Sequence, residues 1–141
     1  MNDTYITFAG WVGGDVALSE VGAGHQVATF RVGSTPRRLV NGAWEDSPTN
    51  WYTVKAWRQL AVNVHRSVRR GDPVIVHGRL TADVWEKPDG QTSVRHVVVA
   101  VSVGHDLGRG IAQFRKSQRD AEEPAPGREA PMVVTPQSPA A

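Results

Sequence analysis

The chain reads as an all-β domain of five strands with one helix between the third and the fourth, and three observations lead there. Apolar and polar residues alternate with period two in five separate runs, the spacing that sends successive side chains to opposite faces of a strand. A single stretch, Leu60, Ala61, Val64 and Val68, repeats at helical spacing instead. Glycine and proline, with Asn-Gly and Asp-Gly pairs, punctuate the runs where the chain must turn.

The first strand spans Tyr5 to Val12, with Ile6, Phe8 and Val12 on its inner side and Gly10 marking a bend. The second, Gln26 to Ser34, turns Ala28, Phe30 and Val32 inward. Between it and the third strand, Asn41-Gly42 lies between apolar pairs, a strong short-range hairpin signal, so a β-ribbon arm is expected over Arg37 to Glu45. The third strand, Trp51 to Trp57, places Tyr52, Val54 and Ala56 inside. The helix follows, with Arg66, Arg69 and Arg70 suited to its C-terminus and Gly71 expected to stop it. The fourth strand, Pro73 to Trp85, buries Val74, Val76 and Leu80 and bends at Gly78; Pro88-Asp89-Gly90 then turns the chain into the fifth, Thr92 to Val103. This β-β-β-α-β-β order is that of the OB-fold, a partly open, five-stranded Greek-key barrel whose second and third strands and loops grip oligonucleotides.

At 141 residues the chain accommodates one domain and an appendage. We divide it at residue 108: 1–108 is the expected OB-fold domain. Residues 109–141 are read as a basic strap around Arg109, Arg115, Lys116 and Arg119, followed by a disordered tail. Five of the nine prolines fall between Pro124 and Pro139, and little there could form a core. Residues 1–110 hold 12 Lys and Arg against 10 Asp and Glu, and residues 111–141 hold 4 against 4, so the net charge of +2 lies wholly in the presumed domain.

Cysteine is absent, which excludes disulfides, thiolate metal sites and cysteine nucleophiles. No apolar run approaches the ~20 residues that span a bilayer, and the N-terminus lacks a basic leader, so the expectation is a cytoplasmic, nucleoid-associated protein with no membrane partner.

The chemistry sits on the outer parity of the strands. Trp51, Thr53, Lys55 and Trp57 share one side of the third strand, joined by Arg31 from the second and by Arg79, Thr81 and Trp85 from the fourth. A core face would not carry lysine between two tryptophans, whereas a surface that stacks unpaired bases and follows their phosphates needs both rings and cations. Arg37 and Arg38 at the base of the arm and Trp44 further along it complete the candidate nucleic-acid site, with Arg95 and Lys87 as weaker additions. Trp11 is assigned to packing or to a subunit contact. The rival reading is a protein-interaction or assembly module whose tryptophans form subunit contacts. An enzyme is not expected: phosphate-loop, His-Glu-x-x-His and Gly-x-Ser-x-Gly patterns are all missing, the five histidines show no ligand spacing, and no cofactor or metal is called for.

The pattern resembles the bacterial single-stranded DNA-binding protein family. The resemblance runs over most of residues 4–106: Ile6-Thr7-Phe8-Ala9-Gly10, Val27-Ala28-Thr29-Phe30, Asn50-Trp51-Tyr52-Thr53-Val54, Trp57 leading into Gln59-Leu60-Ala61, Arg70 through Leu80, and Val97-Val98-Val99. It implies a homotetramer of OB-folds that wraps single-stranded DNA and protects it during replication, recombination and repair. It also implies base stacking at Trp51, Trp57 and Trp85. A further stacking position, a tryptophan at the start of the arm in many members, falls here on Arg37, with Trp44 beyond it. Members that recruit repair proteins end in an acidic cluster before a hydrophobic tip. Residues 131–141 carry no charged side chain, so recruitment through the tail is expected to be weak or different, as in a specialised actinobacterial paralogue.

Overall fold

The computed structural model describes residues 2–117. The expected disordered tail lies outside the described residues from 118 onward, and with it the question of recruitment. The described part of the strap, 109–117, has neither helix nor strand; Asn63 Nδ2 donates to Ser117 Oγ at 3.0 Å, bringing it back to the domain. Eight strands and one helix precede it: β1 (Thr4–Val12), β2 (Ala17–Val21), β3 (His25–Ser34), β4 (Arg37–Val40), β5 (Ala43–Asp46), β6 (Asn50–Trp57), α1 (Arg58–Ser67), β7 (Pro73–Glu86) and β8 (Thr92–His105).

The five-stranded Greek-key barrel is therefore corrected. Six strands form one sheet in the order β1-β7-β8-β6-β3-β2, and β4 and β5 form a separate two-stranded ribbon. The sheet is not closed into a barrel. β1 pairs with β7 from Thr4 to Trp11, which leaves only Trp11 and Val12 to meet Gly33 and Val32 of β3, while β2 prolongs the sheet past β3 as an added edge. β2 escaped the sequence reading because only Leu18 of its five residues is even partly buried, so it lacks the alternation that betrays a strand. The one-helix, OB-like order survives: α1 follows β6 and packs against β3 and β6.

Turn chemistry explains the connections. Asn41 and Gly42 both take positive φ, 50° and 78°, the geometry of the two-residue hairpin that their sequence predicts. Gly90 has φ 89° and donates its N–H to the Lys87 carbonyl at 2.9 Å, closing the β7–β8 turn. The helix stop differs from expectation. α1 ends at Ser67, with Val68 already extended, and Gly71 instead serves the next turn, donating to the Val12 carbonyl at 2.8 Å.

The inward residues read from strand parity fill the core. Val12, Ala28, Phe30, Val32, Val54, Ala56, Val74 and Val76 are buried, joined by Val98 of β8, by Ala61 and Val64 of the helix and by Val68 just past its end, and Ile6, Phe8, Tyr52 and Leu80 pack against them. Gly10 and Gly78 lie where backbones cross closely. A Cβ at Gly10 would strike the Gly33 carbonyl and come within 2.8 Å of Val32 Cγ1; one at Gly78 would strike the Val99 carbonyl and Val98 Cγ1. At the second crossing the β7–β8 register shifts between His77 and Gly78, leaving Val101 without an opposite residue. This bulge resets the parity of β8, so Val103 rather than Ser102 joins Ala100 against the core.

Candidate nucleic-acid interface

Pairing register decides which outward residues share a surface, because Cα partners in neighbouring strands send their side chains to the same face. In β3 and β6 the partners are Gly33 with Trp51, Arg31 with Thr53, Thr29 with Lys55 and Val27 with Trp57. The parallel β6–β8 ladder adds Val97 beside Thr53 and Val99 beside Lys55, and β7 continues it with Arg79 opposite Val99, Thr81 opposite Val97 and Trp85 opposite Ser93. Trp51, Trp57, Arg31, Lys55, Arg79 and Trp85 thus occupy one face over four strands. Thr53 and Val97 at its centre are buried, with Trp51, Lys55 and Arg31 standing around them.

The rings on this face are open to solvent: Trp51 is 48% exposed, Trp57 38% and Trp85 45%. Trp51 lies against two glycines. A Cβ on Gly13 would come within 2.6 Å of Trp51 Cζ3, and one on Gly33 within 3.0 Å of Cζ3 and Cη2, so both positions must stay bare for the indole to lie down. Sequence inspection could not find this role, since Gly13 and Trp51 are 38 positions apart. The Gly13→Ala variant should lift the ring, shifting the protein's intrinsic fluorescence and weakening oligo(dT) binding by about 1 kcal/mol with an unchanged thermal midpoint.

Guanidinium groups accompany the rings. Arg31 lies 4.7 Å from the centroid of Trp51, and Arg95, which also pairs with Asp83 at 3.3 Å, lies 5.6 Å from that of Trp85. Such contacts are worth roughly 0.5–1 kcal/mol at exposed sites. Arg95 is thereby brought into the constellation more firmly than its sequence position suggested. Trp57 stands at the end of β6, where Arg58 adopts φ 59° to turn sharply into α1.

Not all candidates converge. Trp85 lies six residues beyond Arg79 along β7, about 20 Å at strand rise, near the tip of the β7–β8 hairpin. Arg37, Arg38 and Trp44 belong to the separate ribbon. Arg37 and Trp44 share its one face, 5.9 Å apart, with Arg37 also bridged to Asp46 at 3.3 Å, while Arg38 pairs with Glu45 on the other. Among the described residues no group of three or more His, Cys, Asp or Glu could hold a metal ion, and no helix is long and apolar enough to cross a membrane.

Comparison with known proteins gives this arrangement its context. The single-strand binding protein family matches residues 1–106, three quarters of the chain. The chain belongs to that family. It is 39% identical over 140 residues to Single-stranded DNA-binding protein 1 of Streptomyces coelicolor, covering 96% of this chain and 87% of the relative. In three dimensions it is similar to a small single-stranded DNA-binding protein from Streptomyces coelicolor, with TM-score 0.71, 38% identity, and coverage of 78% of this chain and all of the other. It is also similar to the second single-stranded DNA-binding protein of Mycobacterium smegmatis, with TM-score 0.61, 29% identity, and coverage of 82% and 100%. This single-strand binding family member is thus of an actinobacterial type, as its sequence pattern suggested.

Proposed function

We infer that the protein binds single-stranded DNA with little base preference, stacking bases on Trp51, Trp57 and Trp85 and holding phosphates with Arg31, Lys55 and Arg79. It is a binding protein of its family and not an enzyme. The observation that carries the residue assignment is the joint register of accessible indoles and cations over β3, β6, β8 and β7. Energetics favour stacking: a base on an aromatic ring contributes roughly 1–3 kcal/mol, more than the roughly 0.5–1 kcal/mol that holds a guanidinium over an exposed ring. A base arriving at Trp51 can therefore displace Arg31, which is then free to meet the adjoining phosphate. Arg37 and Trp44 would extend the path on to the ribbon.

Oligo(dT) should quench the intrinsic fluorescence, and affinity should fall with salt. Each phosphate neutralised on a single strand contributes about 0.7 to the log–log slope, so Lys55→Ala should reduce that slope by about 0.7. Unquenched fluorescence at saturating oligonucleotide would assign the rings to subunit contacts instead.

The proposed assembly is a homotetramer. Tyr5, Ile75 and Val101 are exposed on the outer side of β1, β7 and β8, with Tyr5 directly opposite Arg79, and form an apolar surface beside the cationic row that a second copy would cover. The proposed duty is protection of single strands during replication, recombination or repair, by domain 1–108 with 109–141 as its appendage.

A further inference from the structure

The ring-bearing face does not stop at Trp51. Trp11 of β1 is the partner of Gly33 in β3, and Gly33 is the partner of Trp51 in β6, so the three residues stand in one row with side chains on one side. With neighbouring strands about 4.8 Å apart, the two tryptophan backbones are on the order of 10 Å from each other. Only a glycine separates them. The Trp51 ring leans across that glycine toward Gly13, two residues from Trp11 and just past the end of β1.

Trp11 is 49% exposed and opens on a cleft of about 540 Å³ between β1, the base of the ribbon and the start of the strap, lined also by Thr35, Arg37, Asp46, Asp106 and Arg109. That volume falls among those of small-molecule sites, roughly 300–1,000 Å³. The Arg109 guanidinium lies 5.8 Å from the Trp11 ring centroid, repeating the ring-and-guanidinium pairing of Arg31 with Trp51 and Arg95 with Trp85. The two carboxylates are occupied: Asp46 by Arg37 at 3.3 Å, and Asp106 Oδ1 by the Gly108 N–H at 3.0 Å. Guanidinium and carboxylate charges in the lining cancel, so this cleft suits the flat, uncharged face of a base better than a bare phosphate.

We propose that Trp11 is a further nucleotide-stacking position, which carries the DNA strand past Trp51, over Gly33 and into the cleft that Arg109 covers. The core of a subunit contact is depleted in charged residues, whereas four charged side chains, Arg37, Asp46, Asp106 and Arg109, line the cleft at Trp11 beside Ala9, Gly10 and Pro73. The proposal rests on the face of β6 being the DNA site, and its test separates the two.

The full chain and its Trp11→Ala, Trp11→Phe and Trp51→Ala variants are titrated with oligo(dT) of about five and about sixteen nucleotides, the lower and upper ends of the range for one OB-type domain. Trp11→Ala should lose roughly 5- to 100-fold in affinity for the longer strand only, with salt slope and sedimentation unchanged, and Trp11→Phe should restore most of it. In the unmutated chain, strands carrying 5-bromodeoxyuridine should photocrosslink to Trp11. If Trp51→Ala weakens binding while Trp11→Ala does not, or if Trp11→Ala alters sedimentation alone, the Trp11 subsite is overturned and the main face stands. If neither variant weakens binding, the main face itself is wrong. Absence of a crosslink at Trp11 overturns the subsite even should Trp11→Ala fail to fold.

Discussion

Replacing Trp51 and Trp57 together by alanine is expected to weaken oligo(dT) binding by roughly 2–6 kcal/mol, twice the range for one stacked base. Both rings stand at exposed positions of β6, and the core is supplied by the opposite parity, Tyr52, Val54 and Ala56. The variant should therefore keep its circular dichroism spectrum and come within about 1 kcal/mol of the unmutated chain in urea. Fluorescence anisotropy of labelled oligo(dT) measures the loss. Unchanged affinity in a folded double variant would show that the strand runs elsewhere.

The second large effect concerns stability. Gly10→Ala and Gly78→Ala each insert a methyl group against a carbonyl of the neighbouring strand, where no side chain can yield, and each should cost about 3 kcal/mol. Gly104→Ala meets nothing within 4 Å and should lie within about 0.5 kcal/mol of the unmutated chain. Urea denaturation of the three variants checks both expectations. A mild effect at Gly10 would mean that β1 and β3 can separate without loss, and that the short Trp11–Gly33, Val12–Val32 contact contributes little to the domain.

The alternation of apolar with polar residues was sufficient to place the long strands and to sort their inner residues from their outer ones. Burial on one side of a strand imposes period two directly on the sequence. The Asn41-Gly42 turn was equally legible, since left-handed φ at two successive positions is tolerated by few residue pairs. β2 was not, because a strand exposed on nearly all sides leaves no apolar imprint. The helix stop at Gly71 was misplaced for a related reason: a positive-φ glycine marks a turn, and only the fold says which element that turn serves.

Within the site, sequence alone determined that rings and cations lie together on the outward parity of β6, because a strand's two faces are fixed by the backbone pleat. Tertiary structure decided everything that depends on which strands are neighbours. It left the sheet open where a five-stranded barrel was expected, set Gly13 and Gly33 beneath Trp51, brought Arg95 over Trp85, and aligned Trp11 with Trp51. Those relations join residues ten to forty positions apart through pairing register, and register is a property of two strands at once that neither one carries in its own sequence.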